Sequence, residues 1–260
     1  MEKTKKYLTE NSSINGMTLS EIVTKNFKAS KVFEKYELDF CCKGNKNFIE
    51  ACNEKGVDSE IVYEELLETE ETSTDSDMRF NNWELDFLVD YIVSNHHNYI
   101  RESVPIISAH AEKVVNAHGK NHFELTKISE IFTSLSRELS QHLMKEEQIL
   151  FPYIKNLSKI KTSNSKFELP YFSTIANPIR MMEAEHVSAG TEMNEIRRLS
   201  KNYLIPQDAC NTFQVFYKEL KEFEEDLHKH VYLENSILFP KSIELENELL
   251  QESSNKNLHL

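Results

Sequence analysis

The most constraining feature of this chain is a pattern that it contains twice, 88 residues apart. The stretch QHLMKEEQILFP places His142 four residues before Glu146, and KHVYLENSILFP places His230 four residues before Glu234. Residues four apart lie on the same face of an α-helix, together with the apolar residues that surround each pair in the sequence. The repetition therefore predicts two equivalent helices, each of which brings an imidazole and a carboxylate into an apolar core.

The remainder of the sequence indicates an all-α protein. Its 260 residues include only five glycines and six prolines, and they show no run of alternating apolar and polar residues. Four amphipathic segments of helical period follow one another, which predicts an up-down-up-down four-helix bundle over residues 83–250. We expect a bend at Pro105 and an N-cap at Asn177. The predicted helices span about 83–117, 123–151, 177–201 and 206–239.

A smaller helical domain is predicted ahead of the bundle, over residues 1–68. The stretch TLSE fits a capping box that opens one helix, and residues 58–68 (DSEIVYEELLE) predict another. Between them, ELDFCCKGN contains the adjacent pair Cys41 and Cys42. The acidic, Ser/Thr-rich residues 69–82 lack apolar periodicity and predict a linker.

Composition narrows the partners and the compartment. The formal net charge is −13 without any cluster of lysines or arginines, so binding to nucleic acid or to an anionic membrane is not expected. No signal-peptide or membrane-spanning run of apolar residues is evident, and four cysteines do not provide a disulfide framework for a chain of this length. These features predict a reduced, cytoplasmic protein.

Each predicted bundle helix carries a histidine in its apolar stripe, and the two halves match. His97 precedes His142 by 45 residues, and His186 precedes His230 by 44. One histidine on an apolar face is usually a core residue with a single hydrogen bond, but that explanation does not extend to four histidines with two buried carboxylates. An isolated carboxylate in an apolar interior costs roughly several kcal/mol unless it is paired or bound to a metal. The sequence therefore predicts six metal ligands: His97, His142, Glu146, His186, His230 and Glu234.

The ligand types restrict the metal. Four imidazoles and two carboxylates are too rich in nitrogen for calcium or magnesium, and the set lacks the thiolates of a structural zinc site. Glu146 and Glu234 would each bridge two ions, which leaves two histidines per ion, room for an oxo or hydroxo bridge, and at least one open position on each ion. Two non-haem iron ions fit this set best, and manganese is the alternative.

These motifs resemble those of the hemerythrin-like di-iron bundles, and within them of the iron-sulfur cluster repair proteins of the ScdA/YtfE type (the RIC family). The resemblance rests on SNHHNYIRESVP, QHLMKEEQILFP, EAEH and HKHVYLENSILFP, and on SKVFEKYELDFCCKGN, which is similar to the N-terminal domain of that family. It implies a hemerythrin-like bundle, a di-iron centre at the same six ligands, and repair of iron-sulfur clusters damaged by nitric oxide or peroxide. Such a centre would donate iron, reduce NO to N2O, or do both.

The resemblance also implies roles for further residues. It makes Glu138 and Glu185 the catalytic pair near the iron or along its access path, and it assigns redox or metal transfer to Cys41 and Cys42. From the residues alone, three interpretations stay open for Glu138 and Asp226, each of which lies four residues before a predicted ligand histidine. Either acid could accept a hydrogen bond from that histidine or relay protons, or it could be a solvated surface group.

Several neighbours of the ligands are predicted to take no part in the site. Glu147 should point away from the centre and be a surface residue. His96 and His228 flank ligands but lie roughly 100–200° around their helices from the inward face, so we expect them not to be ligands. Cys52 and Cys210 occupy isolated apolar helical positions and are expected in the core.

A second function, from a different class, stays open. A hemerythrin-like carrier or sensor would bind O2 or NO without turnover, although O2 carriers use an additional histidine and no fifth inward-facing one is evident. The adjacent cysteines favour electron or metal transfer, but because neighbouring side chains diverge, we expect one ion held by both to be strained. The predicted partners are damaged iron-sulfur proteins, with NO or O2 as small ligands, and a homodimer is left open.

Overall fold

The computed structural model describes residues 14, 16–71, 80–163 and 165–258, and the regular structure in this part of the chain is helical. This confirms the predicted all-α class. The chain forms two compact units, of which the first contains the described residues up to Trp83 together with Tyr232–Ile237, and the second contains the described remainder. The predicted linker falls largely on residues 72–79, which lie outside the described residues.

The first unit is built from short helices that begin at polar caps. The predicted capping box is confirmed, because the Glu21 amide donates to the Thr18 hydroxyl at 3.3 Å and the Thr18 amide donates to the Glu21 carboxylate at 2.8 Å. The hydroxyl of Tyr232 lies 2.9 Å from that of Thr24 in the same unit. The helices named here α1 to α4 span Leu19–Lys25, Ala29–Lys35, Phe48–Lys55 and Ser59–Glu71.

The four long helices that follow form a bundle, as the sequence predicts, and Tyr232–Ile237 of the last of them is the segment counted with the first unit. Three of the four helices change register once, through a single π-helical turn, and then continue as α-helix. The α-helical parts are α5 Leu85–Ile92, α6 Asn98–His118, α7 Glu124–Lys145, α8 Phe151–Ser163, α9 Ala176–Leu199, α10 Asn211–Leu233 and α11 Phe239–Leu258. The π turns are Val93–His97, Glu146–Leu150 and Glu234–Leu238. No helix in the described part of the chain is both long and apolar enough to cross a membrane.

Three features of the bundle helices differ from the sequence prediction. Pro105 lies inside α6, and the departure from regular α-helix comes earlier, at Val93–His97. Helix α9 begins at Ala176 with Ile175 as its N-cap, while the Asn177 side chain donates to the carbonyl of Phe172. The last long helix begins at residue 211, not near residue 206, and runs on to residue 258.

The segment that joins the second and third long helices is held by one buried carboxylate. Helix α8 forms the first part of this segment, and residues 165–175, which contain no regular helix, lead to the start of α9. Glu246 is 1% exposed and accepts hydrogen bonds from the Tyr153 hydroxyl at 2.7 Å, from the Thr174 hydroxyl at 2.5 Å and from the Ile175 amide at 3.0 Å. The Glu246 carboxylate, which belongs to α11, therefore holds both ends of this segment against α11. The periodicity of the sequence does not predict this role.

Candidate metal centre

Six buried side chains of the long helices lie close together. Each is at most 2% exposed. They form two groups that share both carboxylates, and in each group the candidate ligand atoms lie within 4.8 Å of one another. The first group is His97, Glu146, His230 and Glu234, and the second is His142, Glu146, His186 and Glu234. These are the six residues that the sequence singled out.

Glu146 lies between two pairs of imidazoles. The Nε2 atoms of His97 and His230 are 3.1 Å apart, and those of His142 and His186 are 3.0 Å apart. One oxygen of Glu146 lies 3.4 Å from Nε2 of His97, and its other oxygen lies 3.3 Å from Nε2 of His142. The carboxylate therefore offers one oxygen to each imidazole pair, which is the disposition of a ligand that bridges two cations.

The protonation of two imidazoles is set from outside the centre. Nδ1 of His97 lies 2.7 Å from a carboxylate oxygen of Glu147, and Nδ1 of His142 lies 2.9 Å from one of Glu185. Ionised carboxylates only accept hydrogen bonds, so each Nδ1 carries a proton, and in the neutral imidazole each Nε2 presents a lone pair to the centre. Two such lone pairs beside a buried carboxylate fit a cation, and the residues of this domain suit metal binding.

Each outer carboxylate is also paired with a cation, Arg101 for Glu147 and Lys145 for Glu185. Burial opposes ionisation of both acids, but the hydrogen bonds from histidine and from the basic side chains outweigh it, so the pKa of each is lowered from its ordinary value. The prediction that Glu147 is an uninvolved surface residue is wrong. Its side chain is 28% exposed and reaches across to the first long helix.

His96 is a fifth buried histidine, although the sequence prediction placed it outside the inward face of its helix. It is 2% exposed, its ring stacks parallel to that of His230 at 5.7 Å, and its Nδ1 lies 2.9 Å from Oδ1 of Asp226. Asp226 thus pairs with His96 on another helix, whereas its sequence spacing pointed to His230. Among the described residues His96 belongs to neither ligand group.

The π turns explain these reorientations. Glu146 and Glu234 each begin a π turn, and His97 ends one. A π turn inserts an extra residue, so the inward face shifts by one position. Leu150 is therefore 1% exposed, whereas Ile149, which a regular helix would place on the same face as His142, is 39% exposed.

The repeated ILFP motif carries a signal for these turns. Proline stands two positions after the last residue of each later π turn, at Pro152 and Pro240. Proline has no amide hydrogen and therefore removes one backbone hydrogen bond from a helix. A change of register directly before the proline costs little more, because the bond that is lost there is one that the proline could not have made. Such turns often occur at functional sites.

A cavity of about 250 Å³ opens beside the second ligand group. Its wall includes both His142 and His186, and its polar lining includes Glu138, Lys145 and Glu185. The structure thus brings the two predicted catalytic acids to one cavity, with Glu185 bonded to a candidate ligand and Glu138 exposed. Burial and the charge of Glu138 raise the pKa of nearby Glu192, an acid that sequence reasoning missed.

The paired cysteines lie in a turn of the first unit. The Sγ atoms of Cys41 and Cys42 are 3.8 Å apart, so the two side chains do not diverge as expected. A hydrogen bond with Cys42, burial and the carboxylate of Asp39 all raise the pKa of the Cys41 thiol well above its usual value, which makes that thiol a poor nucleophile. Elsewhere Cys52 is buried as predicted, but Cys210 is exposed, contrary to expectation.

We expect Glu147→Gln to weaken metal binding about 10- to 100-fold without changing the ligands themselves, because a neutral amide polarises and orients the His97 imidazole less than a carboxylate does. The measurement is competition with a chelator of known affinity. Glu102→Gln, an exposed acid on α6, is the matched control and should bind metal as the wild type does. Equal affinities for wild type and Glu147→Gln would show that the hydrogen bond has no such influence.

Comparison with known families matches both units. Residues 15–70 match the ScdA_N model, which is described as a domain of unknown function, and residues 88–242 match the hemerythrin HHE cation-binding domain. A cation-binding description agrees with the chemistry of the two buried ligand groups.

Similarity to individual proteins extends over most of the chain. A probable iron-sulfur cluster repair protein of Haemophilus influenzae is 34% identical over 224 residues, which cover 86% of this chain and 95% of the relative. The iron-sulfur cluster repair protein YtfE of Yersinia pestis is 33% identical over 218 residues, which cover 83% and 91%. The protein of the same name from Yersinia pseudotuberculosis gives the same identity and coverage.

Proposed function

This chain belongs to the family of iron-sulfur cluster repair proteins with a hemerythrin cation-binding domain, and on that premise we propose that it repairs damaged iron-sulfur clusters through two non-haem iron ions. The proposed ligands are the six residues of the two buried groups. Repair would proceed by iron donation, by reduction of NO to N2O, or by both, in the cytoplasm and on damaged iron-sulfur proteins.

One observation carries the proposal of a two-ion centre. Glu146 is fully buried and directs one oxygen toward His97 and the other toward His142, each of which is paired with a further imidazole. A single ion would use one such pair, whereas this carboxylate is shared between two. Glu234 belongs to both ligand groups in the same way and would be the second bridge.

The cavity residues support chemistry on a small ligand. Iron bound there would supply redox chemistry toward a diatomic molecule, or would itself be the cargo that a damaged client receives. Leu135, Leu139 and Ala189 line an apolar part of the wall, and a volume of about 250 Å³ accommodates two diatomic molecules. Reduction of two NO to N2O and water consumes two protons and two electrons, the latter from an external one-electron reductant. Glu138 and Glu185 would relay protons along this cavity, with the ionised Glu185 as a proton acceptor.

The decisive experiment is an anaerobic assay of the iron-loaded protein with NO and a chemical reductant. We expect N2O to form and NO to disappear in the ratio of the balanced reaction. Glu185→Gln should slow N2O formation because it removes the carboxylate that accepts from His142 Nδ1, while Glu183→Gln, an exposed acid on the same helix, should leave the rate unchanged. Iron content measured on every variant separates a lost proton path from a lost metal.

The alternative is an O2 or NO carrier or sensor that does not turn over. It would give a stable nitrosyl adduct without N2O, and no iron would move to a client. Transfer of isotopically labelled iron to an iron-sulfur protein whose cluster has been destroyed tests the donation route separately. Failure of both assays would overturn repair by this centre and favour the carrier.

A further inference from the structure

Three donor atoms converge in the turn that follows Leu38, in the first unit. They belong to Asp39, Cys41 and Cys42, and they all lie within 4.8 Å of one another. The two sulfurs are 3.8 Å apart, and Sγ of Cys41 lies 3.4 Å from Oδ1 of Asp39. None of the six bundle ligands belongs to this group.

The separation of the two sulfurs is that of tetrahedral metal coordination. With metal–sulfur bonds of about 2.3 Å, tetrahedral geometry separates two thiolate sulfurs by about 3.8 Å. With a metal–oxygen bond of about 2.0 Å, it separates a sulfur from a carboxylate oxygen by about 3.5 Å. The first value agrees with the turn, and a carboxylate oxygen of Asp39 lies within 4.8 Å of both sulfurs, whereas a disulfide requires the sulfurs at about 2.0 Å. The two sulfurs are therefore spaced as an ion held between them would require, and they are too far apart for a disulfide.

The backbone fixes this arrangement before any ion binds. The amides of Cys41, Cys42 and Lys43 donate to Oδ1 of Asp39 at 3.3, 2.9 and 3.3 Å, which fixes the carboxylate beside the thiols and leaves its second oxygen as the one to bind an ion. A side chain at Gly44 would place its Cβ 2.2 Å from the Phe40 carbonyl oxygen, so the close return of the chain requires glycine. Preorganised ligands lose little conformational freedom on binding.

We propose that Asp39, Cys41 and Cys42 form a mononuclear site for a thiophilic divalent transition-metal ion such as Fe²⁺ or Zn²⁺. Binding exchanges two thiol protons for two metal–sulfur bonds and adds one metal–oxygen bond, so the ion enters and two protons leave without any redox change. The fourth position is open to a further ligand. Cys41 is buried while Cys42 and Asp39 are partly exposed, so the ion is anchored on one side and accessible on the other.

The test uses Co²⁺ as a spectroscopic probe, added to the full chain after the bundle has been loaded with iron. We expect one further equivalent of Co²⁺ to bind with thiolate-to-cobalt charge-transfer absorption in the near ultraviolet. Cys42→Ser and Cys41→Ser should abolish this band, and the exposed, isolated Cys210→Ser should retain it. Asp39→Asn keeps an oxygen for the three amides but loses the charge, so Co²⁺ affinity should fall roughly tenfold or more.

The outcomes separate this site from the bundle. His142→Ala should lose bundle iron and keep the thiolate band, which would leave the proposal intact even if the function proposed for the bundle failed. A thiolate band that survives in Cys42→Ser, or a wild-type chain that takes up no Co²⁺ with thiolate absorption, would overturn the proposal. Because Cys41 is buried, circular dichroism must show that Cys41→Ser is folded, and the partly exposed Cys42 and Asp39 variants decide if it is not.

Discussion

Glu146→Gln is expected to abolish metal binding at the two buried ligand groups and yet to leave the metal-free chain at least as stable as the metal-free wild type. Its carboxylate is fully buried and lies 3.3–3.4 Å from two imidazole nitrogens that belong to different ligand groups. When cations are bound in both ligand groups, they compensate the negative charge of the carboxylate. Without them, a buried charge costs roughly several kcal/mol, and the amide removes that cost.

The measurement is thermal unfolding with and without a chelator, together with metal analysis. A ligand present at about 1,000 times its dissociation constant stabilises the folded chain by about 4 kcal/mol, so chelation should lower the wild-type melting temperature clearly. The same chelator should not change the melting temperature of Glu146→Gln. Glu130→Gln, an exposed acid on the same helix that pairs with Lys127, is the control and should behave as the wild type. Full metal content in Glu146→Gln would remove the bridge from the ligand set.

Glu246→Ala is expected to give the largest loss of stability among changes outside the metal centre. Its carboxylate accepts from the Tyr153 hydroxyl, the Thr174 hydroxyl and the Ile175 amide, and the site is 1% exposed. Truncation leaves these donors buried without an acceptor, at about 1–3 kcal/mol each, although water entering the gap would recover part of it. We expect a total loss of about 3 kcal/mol, which corresponds to roughly 6–12 °C in a chain of this size.

Two control variants identify the cause of that loss. Glu246→Gln keeps one acceptor oxygen and should lose clearly less stability than the alanine variant. Glu248→Ala removes an exposed acid of the same helix that pairs with Lys161, and it should change the melting temperature little. If Glu246→Ala melted within error of the wild type, the carboxylate would not be what fixes the connection between α8 and α9.

The pairings across helices lay beyond the reach of sequence reasoning. Spacing within one helix pointed Asp226 toward His230, but the acid bonds to His96 of a different helix. Spacing also turned Glu147 outward, although it accepts from His97, 50 residues earlier. A period of 3.6 residues describes the faces of one helix and contains no information about which residue of a neighbouring helix stands opposite.

The set of candidate ligands could be predicted from the sequence because the pattern is local and occurs twice. A histidine and a glutamate four apart in an apolar stripe must enter a core wherever the helix packs, and two buried carboxylates require compensation whatever the surrounding fold. That argument uses only helix geometry and the cost of burying charge. It identified His142, Glu146, His230 and Glu234 before any contact between helices was known.

The sequence by itself thus determined the helical class, the apolar faces and the six polar side chains that those faces bury, since all of these follow from residue order along one helix. Only the tertiary structure decided that Glu146 stands between two imidazole pairs, that π turns bury Leu150 in place of Ile149, and that the sulfurs of Cys41 and Cys42 converge. The physical reason is that these features depend on packing between helices, on a change of hydrogen-bond register and on a turn held by Asp39. Each of them brings together atoms whose distance from one another is not specified by the periodicity of the sequence.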